Sequence, residues 1–286
     1  IKYAEIGTVY RYERSGVLHG LFRARGFTQD DAHIFCSLDQ IEKEVIDVMD
    51  LTTEFLNKFG FSDYEIFVST KPKKYVGTDD EWESATNSLK KSLDNKSLKY
   101  SIDDGGGAFY GPKIDLKIKD VLGRSWQCST VQVDFNLPRR FDLEYISSNN
   151  ERLQPVMIHR AIFGSFERFF GILIEHYGGA FPAWLAPNQI KLLSVSDDQV
   201  EYVEEVSSQL ASSGIRVGMD NRNEKLGLKI RESEISKVPF IGIVGNNELE
   251  NKTINIRKYG GDQIGELKLK ELTELINSEI SGRVGS

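Results

Sequence analysis

The stretch GFTQDDAHIFC reads as a strand in which an amide, a carboxylate and an imidazole alternate, at Gln29, Asp31 and His33. Because successive side chains of a strand point to opposite faces, these three groups share one face, bracketed by Phe27 and Phe35. The carboxylate accepts hydrogen bonds from an amine or a hydroxyl, the imidazole binds metals or titrates, and a base can stack on the Phe27 ring. A solvated sheet face is the alternative, but the two aromatic residues favour a covered floor.

The preceding strand adds an arginine and a glutamate to this face. Val9, Arg11 and Glu13 alternate in GTVYRYE, and the basic loop RSGVLHGLFRAR separates them from the second strand. If the two strands form a hairpin, Arg11 and Glu13 lie beside the polar row. A guanidinium offers a fixed fork of donors that suits a phosphate or a carboxylate.

A second histidine lies in PVMIHRAIFGSFERFFGILIEHYGG. We expect His159 at the junction between an apolar strand and a long helix. Gly164 and Ser165 would let a flat ligand approach the backbone. Arg168 sits in an apolar stretch, so it needs a partner, which is either a nucleotide or an internal ion pair with Glu167.

Two histidines alone do not make a zinc site. If His33 and His159 meet, zinc still needs at least one more protein ligand. Cys36 points to the face opposite His33, and Cys128 faces away from its neighbour Gln127 in SWQCSTVQVDF, so both are weak candidates. Spacing alone therefore disfavours a metal site.

The segment GGGAFYGPKID is a glycine-rich turn that delivers Tyr110 and Lys113 near the start of a strand. As a phosphate-binding loop it is nonspecific, and a simple tight turn is the alternative.

The elements that must position these groups divide the chain into two parts. Strands and amphipathic helices up to FPAWLAP predict an α+β domain with an antiparallel sheet. Beyond it, IKLLSV, IRVGMD and FIGIVG alternate with helical segments in the βαβ rhythm of a small α/β domain. The predicted domains are 1–184 and 185–286.

Bulk properties limit the function classes. The chain has 286 residues and a net charge of −7, which argues against a protein that simply coats nucleic acid. Its two cysteines indicate a reducing compartment, and no apolar run approaches the roughly 18–20 residues of a membrane helix. We expect a cytoplasmic protein, or one of an organellar matrix, without a membrane partner. The strand-like start at Ile1 predicts that the chain begins inside a domain.

Four segments together resemble class II aminoacyl-tRNA synthetases, in the bacterial or organellar form typical of threonyl-tRNA synthetases. YRYERSGVLHGLFRARGFTQDDAHIFC resembles the second signature motif, and MIHRAIFGSFERFFGILIEHYGG resembles the third. GGGAFYGPKIDLKI and WQCSTVQVDFNLP resemble threonyl-specific segments. The resemblance implies a class II catalytic domain, incomplete at its start, followed by an anticodon-binding domain.

The resemblance also implies site residues. ATP would contact Arg11, Glu13, Arg23, Phe27, Gln127, Thr130 and Arg168, with the adenine between Phe27 and Arg168. Threonine would contact Gln29, Asp31, Tyr110 and Gln132. The implied catalytic residues are Arg11, Lys113 and Arg168. In the second domain, Asn223, Arg231, Glu248 and Arg257 would read anticodon bases.

The implied activity is that of a threonine–tRNA ligase, which uses ATP with Mg²⁺, threonine and threonine tRNA, in a homodimeric full-length protein. His33 and His159 match two zinc ligands, and the implied third is a cysteine upstream of this chain. With two ligands alone we expect weak zinc binding. Serine errors would be cleared by a separate amino-terminal domain, which nothing in this sequence resembles.

Two other readings stay open. A prolyl-type synthetase should lack the histidine pair. A non-catalytic RNA-binding relative would have no need of Arg11 and Arg168. In the second domain, Arg222, Lys225, Lys229, Arg231 and Lys237 form either a basic patch for RNA or a solvated helix face.

Overall fold

The structure, a computed structural model, describes residues 1–282 and divides the chain into two compact units, Ile1–Glu175 and the part from His176 onward. Residues 283–286, the end of the predicted second domain, lie outside the described residues. Among the described helices, none is both long and apolar enough to span a membrane. The assignment of a catalytic domain to 1–184 and of an anticodon-binding domain to 185–286 remains a prediction.

Unit 1 is built on a seven-stranded sheet. Its strands are β1 (Lys2–Tyr10), β2 (Gly26–Cys36), β3 (Tyr64–Ser69), β4 (Ser101–Asp103), β5 (Lys113–Lys119), β6 (Ser125–Asp134) and, after a small hairpin of β7 (Tyr145–Ile146) and β8 (Arg152–Leu153), β9 (Val156–Ala161). The spatial order is β1-β2-β9-β6-β5-β3-β4. Neighbours are antiparallel except for the parallel pair β3–β4. The predicted antiparallel sheet is therefore confirmed apart from one short edge strand.

Alternation in the central strands separates a core face from a polar face. Ile114, Leu116 and Ile118 of β5 and Val131 and Val133 of β6 are fully buried. The helices of this unit are α1 (Ile41–Lys58), α2 (Asp79–Asn95), α3 (Asn136–Arg140) and α4 (Phe166–His176). Helices α1 and α2 pack together and contribute a buried apolar stripe each. The polar residues between the buried ones are left on the other side of the sheet.

The predicted long helix beginning at His159 is wrong at its start. His159 lies inside β9, which pairs with β2 on one side and β6 on the other, and α4 begins only at Phe166. The turn between them includes Gly164 at φ +73°, where an added Cβ would lie 2.4 Å from the Cys128 carbonyl oxygen. Glycine is required there by both the backbone conformation and the close approach.

Unit 2 is a five-stranded sheet of order β11-β10-β12-β13-β14. The strands are β10 (Ile190–Ser194), β11 (Val217–Asp220), β12 (Phe240–Val244), β13 (Thr253–Lys258) and β14 (Gln263–Lys268), with helices α5 (Val200–Ser212), α6 (Leu226–Ile235), α7 (Asn246–Asn251) and α8 (Leu269–Gly282). β10, β11 and β12 are parallel, as the βαβ rhythm predicts, and β13 and β14 add antiparallel strands. β14 was not predicted, because Gly265 and the polar residues around it interrupt the apolar pattern.

Candidate functional site

A cavity of about 430 Å³ opens on the polar face of the unit 1 sheet. This volume is in the range of ligand pockets. The sequence-predicted residues that line it are Arg11, Glu13, Arg23, Phe27, Gln29, Asp31, Tyr110, Gln127, Thr130, Gln132, His159 and Arg168. Val9, Phe22, Ala24, Cys128, Arg160, Ala161, Gly164 and Ser165 complete the lining. Residues from the two halves of unit 1 thus meet at one site.

The strand register explains how they meet. His33 of β2 is directly opposite His159 of β9, which is opposite Gln132 of β6, which is opposite Lys113 of β5. Directly opposed residues of antiparallel strands project from the same face. One row across four strands therefore carries two imidazoles, an amide and an ammonium group.

The two histidines form an edge-to-face pair with ring centroids 4.7 Å apart. His159 Nε2 lies 2.9 Å from Oδ2 of Asp134, whose side chain is fully buried. Oδ1 of the same carboxylate accepts the N–H groups of Asn136 and Leu137. Asp134 thereby ties the orientation of the His159 ring to the start of α3.

Tyr110 completes the histidine end of the cavity. Its ring lies 5.4 Å from that of His159, and its hydroxyl donates to Oε1 of Gln132. Burial, together with the negative charges of Asp134 and Asp31, raises the pKa of Tyr110 to about 12. The group is therefore a neutral phenol that can donate a hydrogen bond at neutral pH.

The histidine pair fits part of a metal site. Within residues 1–282, no group of three or more His, Cys, Asp and Glu side chains could hold a metal ion. Burial raises the pKa of Cys128 to about 12 and that of Cys36 to about 11. Beside the two imidazoles, the described part of the chain places no third side chain that could complete a zinc site.

The opposite end of the cavity carries positive charge. Arg11, just beyond β1, lies with its guanidinium carbon 5.1 Å from the centroid of the Phe27 ring. Arg23 lies 3.8 Å from the carboxylate of Glu13. These are the positions at which a flat ring and its phosphates would meet an aromatic surface and two guanidinium groups.

Arg168 is held by backbone carbonyls. Its Nε donates to the carbonyl of Phe22 at 2.8 Å, its Nη1 donates to that of Gln127 at 2.9 Å, and its guanidinium carbon is 5.5 Å from the Trp126 ring centroid. Both carboxylate oxygens of Glu167 instead accept the N–H of Thr28, so the internal ion pair expected as an alternative is not formed. Burial lowers the pKa of Arg168. Among the described residues no carboxylate forms an ion pair with Arg168, so a neighbouring side chain does not neutralise its charge.

Asp115 is a buried carboxylate that orients residues of the cavity wall, and it was not predicted from the sequence. Its Oδ1 accepts Gln127 Nε2 at 2.7 Å and Thr130 Oγ1 at 2.8 Å, and its Oδ2 lies 2.6 Å from Nζ of Lys113. Gln127 and Thr130 are three residues apart, and the register shift in β6 brings both to one carboxylate. Lys113 itself is not in the cavity lining. The alternation in KIDLKI could have revealed Asp115.

Asp30 is a second buried carboxylate that orders its surroundings. It lies on the face of β2 opposite to that of Gln29. Its carboxylate accepts the backbone N–H groups of Ile162, Phe163 and Gly164 at 2.7–3.1 Å and lies 3.4 Å from Nη1 of Arg160. These bonds fix the turn between β9 and α4 and so the entry of the helix that carries Arg168. No local sequence pattern pairs residues this far apart in the chain.

The predicted RNA-reading residues of unit 2 lie in different settings. Asn223 is exposed in the loop before α6, and Arg231 is exposed on that helix. Glu248 accepts the N–H of Gly245 at the start of α7. Arg257 of β13 lies 3.4 Å from Glu234 of α6, and its Nε is buried without a hydrogen-bond partner.

The five basic residues around α6 do not form one surface. Lys229 is only 1% exposed and donates to the Ser194 carbonyl at 2.8 Å. Arg222 is paired with Asp220 and Glu232, and Lys237 donates to the Gly178 carbonyl. Lys229 therefore belongs neither to a basic patch nor to a solvated face, and the choice between these two alternatives concerns only the exposed Arg222, Lys225 and Arg231.

Two family models match the chain. The tRNA synthetase class II core domain (G, H, P, S and T) matches residues 1–177, and an anticodon binding domain matches residues 188–279.

Three similar proteins are named for threonine. The chain is 53% identical to the threonine–tRNA ligase of a Sulfurihydrogenibium species and 54% identical to threonine–tRNA ligase, chloroplastic/mitochondrial 2, of Arabidopsis thaliana, over 99% of its length in each case. It spans only 44% and 43% of these relatives. A crystal structure of the RNA binding domain of the Cryptosporidium parvum threonyl-tRNA synthetase superposes with a TM-score of 0.92 at 40% identity, over 98% of this chain and 70% of that one.

The Asp30 bonds lead to a stability prediction. We expect Asp30→Ala to lower the free energy of unfolding by about 2–4 kcal/mol, because three backbone N–H groups lose their acceptor in a buried turn. Urea denaturation measures the change. Asp31→Ala is the matched control, since its side chain is 41% exposed on the opposite face. Equal effects of the two substitutions would contradict the assignment.

The ligand count leads to a metal-binding prediction. We expect the 286-residue chain to bind zinc weakly, since it supplies two ligands where a stable protein site uses three or four. Competition with a chromogenic chelator measures the affinity, and His159→Ala should abolish the weak binding. One tightly held zinc ion per purified chain would disprove the prediction.

Proposed function

Because the chain belongs to the threonyl-tRNA synthetase family of class II synthetases, we propose that it is the part of a threonine–tRNA ligase that activates threonine with ATP and recognises threonine tRNA. The observation that supports this best is one cavity lined by Arg11, Arg23 and His159. The His159 ring lies 4.7 Å from that of His33, which is outside the lining. We assign the phosphates to the arginine end and the threonine hydroxyl to the histidine end. The whole ligase would form threonyl-adenylate and then transfer threonine to the terminal ribose of the tRNA.

The first step is a nucleophilic displacement at the α-phosphorus of ATP. The threonine carboxylate oxygen attacks phosphorus, a new C–O–P linkage forms, and the bond to the leaving pyrophosphate breaks. Arg11 stabilises the negative charge that develops between carboxylate and α-phosphate, and Arg23 holds the phosphates. Mg²⁺, when bound with ATP, would supply further charge neutralisation. Phe27 and Arg168 enclose the adenine ring.

The amino-acid end selects a β-hydroxyl group. Asp31 accepts a hydrogen bond from the amine or hydroxyl of threonine, while Gln29, Gln132 and the neutral Tyr110 phenol fix its orientation. His33 and His159 would hold zinc together with a ligand from outside this chain, and zinc would add a Lewis-acid contact to the amine and hydroxyl. Valine lacks the hydroxyl, so it would leave these polar groups unpaired and be rejected strongly.

Lys113 acts through Asp115 in this proposal. Its ammonium group balances the buried carboxylate that orients Gln127 and Thr130. The catalytic role implied by the resemblance would require the Lys113 ammonium group to leave Asp115 and turn into the cavity.

Unit 2 would read the anticodon of threonine tRNA. Arg257, Arg231, Asn223 and Glu248 offer the donors and acceptors that unstacked bases require on their Watson–Crick edges. Asn223 and Arg231 are exposed and so accessible to a base, whereas Arg257, which is 20% exposed and pairs with Glu234 at 3.4 Å, would have to release that carboxylate.

Substitution of Arg11 tests the activation step. We expect Arg11→Ala, in the full-length protein, to reduce threonine-dependent ATP–pyrophosphate exchange by about 10²–10³-fold, because one charge-stabilising donor set is lost from the transition state. Arg14→Ala, an exposed arginine of the same loop, is the matched control. The unsubstituted protein should prefer threonine to proline and serine. Unchanged exchange in Arg11→Ala would refute the role, and a preference for proline would identify a prolyl-type enzyme.

Substitution of Arg257 tests the second unit. Arg257→Ala should weaken binding of threonine tRNA about tenfold or more, as expected for loss of a base-reading arginine, and leave the exchange reaction unchanged. Filter binding and exchange assays on the same preparation separate the two effects. Lys270→Ala, at an 88% exposed side chain on α8, is the control. Loss of exchange in Arg257→Ala would mean that the residue supports folding and not recognition.

A further inference from the structure

One residue of the loop between β1 and β2 is buried. Within residues 11–25, Phe22 has 8% of its surface exposed, and its neighbours in the loop are half-buried or exposed. The adjacent Arg23 lines the cavity, and the ion pair with Glu13 at 3.8 Å is a loose restraint on its side chain, which is 41% exposed. The position of Arg23 therefore depends on what holds the loop.

The Phe22 ring packs against two neighbouring elements. Its centroid lies 5.0 Å from that of Trp126 in β6, and the guanidinium of Arg124 lies over both rings at 5.8 Å. On the other side is α4, where Gly171 leaves room for the ring: an added Cβ would lie 3.2 Å from Phe22 Cε2. Apolar and cation–π contacts thus clamp the Phe22 ring of an otherwise exposed loop.

The backbone of the loop is fixed at the same point. The Phe22 carbonyl accepts the Nε of Arg168, and the N–H groups of Phe22 and Arg23 both donate to the His19 carbonyl. The His19 ring in turn stacks on Trp126 at 6.5 Å with an interplanar angle of 12°. Two arginines of the cavity, Arg23 and Arg168, are consequently linked through one residue.

Trp126 provides a rigid platform for these contacts. Its Nε1 donates to Asp120 at 2.8 Å, and Arg124 donates to the same carboxylate through Nε at 2.5 Å. The Asp120 carboxylate also accepts the N–H groups of Leu122 and Arg124, which closes the β5–β6 turn. The clamp is therefore anchored in the sheet and does not depend on the loop itself.

We propose that Phe22 is a positioning residue that anchors the loop against Trp126 and Gly171 and so places Arg23 for the phosphates of ATP. The inference rests on the proposed function for the identity of the ligand. The anchoring itself is a property of the chain and can be measured without ATP. Removal of the ring should free the loop and weaken ATP binding while threonine binding is unaffected.

The test uses the 286-residue chain with Phe22→Ala, Phe22→Leu and the control Leu18→Ala, a partly exposed apolar residue of the same loop. Trypsin cleavage after Arg14, Arg23 and Arg25 and acrylamide quenching of tryptophan fluorescence report on the loop. Calorimetry with ATP and with threonine reports on binding. We expect faster cleavage and about tenfold weaker ATP binding for Phe22→Ala only, with unchanged threonine affinity and substantial rescue in Phe22→Leu.

Two further variants separate positioning from general stability. Arg23→Ala should weaken ATP binding as much as Phe22→Ala. The double variant should bind ATP little more weakly than either single variant, since both substitutions remove the same contact between Arg23 and the phosphates. Gly171→Ala crowds the ring but favours the helix, so it should weaken ATP binding without lowering the melting temperature. Gly171→Ala also tests the proposal if Phe22→Ala does not fold.

The outcomes distinguish this inference from the proposed function. If the unsubstituted chain binds no ATP, the proposed function of the fragment fails, and cleavage and quenching decide the anchoring alone. If ATP binds and Phe22→Ala binds it normally, or if the loop is cleaved equally in Phe22→Ala and Leu18→Ala, the inference is overturned. Additive losses in the double variant would overturn it as well.

Discussion

The register of four antiparallel strands is the constraint on which the site depends. It places His33, His159, Gln132 and Lys113 opposite one another in a single row, and the two imidazoles come within 4.7 Å. A slip of one residue between any two strands would move one strand's polar groups to the helix-covered face and its apolar groups into the cavity. Burial of the apolar face therefore enforces the geometry of the polar face, and fold stability and site geometry have one cause.

Buried carboxylates fix the parts that the register does not. Asp30 orders the turn before α4, Asp115 gathers Gln127 and Thr130, and Asp134 orients His159. Each is surrounded by donors, because a buried charge without partners would be too costly. These carboxylates do not line the cavity as Arg11 does. They fix the positions of residues that do.

The sequence predicted the parts of this arrangement that repeat along the chain. Alternation in GFTQDDAHIFC correctly put Gln29, Asp31 and His33 on one face, because a two-residue period is a local property. Spacing alone disfavoured a metal site and could not show that the two imidazoles meet, since strands far apart in sequence become neighbours only in the folded sheet. The helix start was placed too early because β9 gains its stability from two neighbouring strands. The roles of Asp30 and Phe22 depend on such distant contacts and had no local signal.

The central claim is that the row of polar side chains selects a β-hydroxy amino acid beside a nucleotide. The most direct measurement is the affinity of the 286-residue chain, with zinc supplied, for the sulfamoyl-adenosine analogues of threonyl- and valyl-adenylate. The two differ only in a hydroxyl and a methyl group. The account predicts that the threonyl analogue binds at least about tenfold more tightly, because only its hydroxyl pairs with the polar row. Equal affinities, or binding of neither analogue, would contradict it.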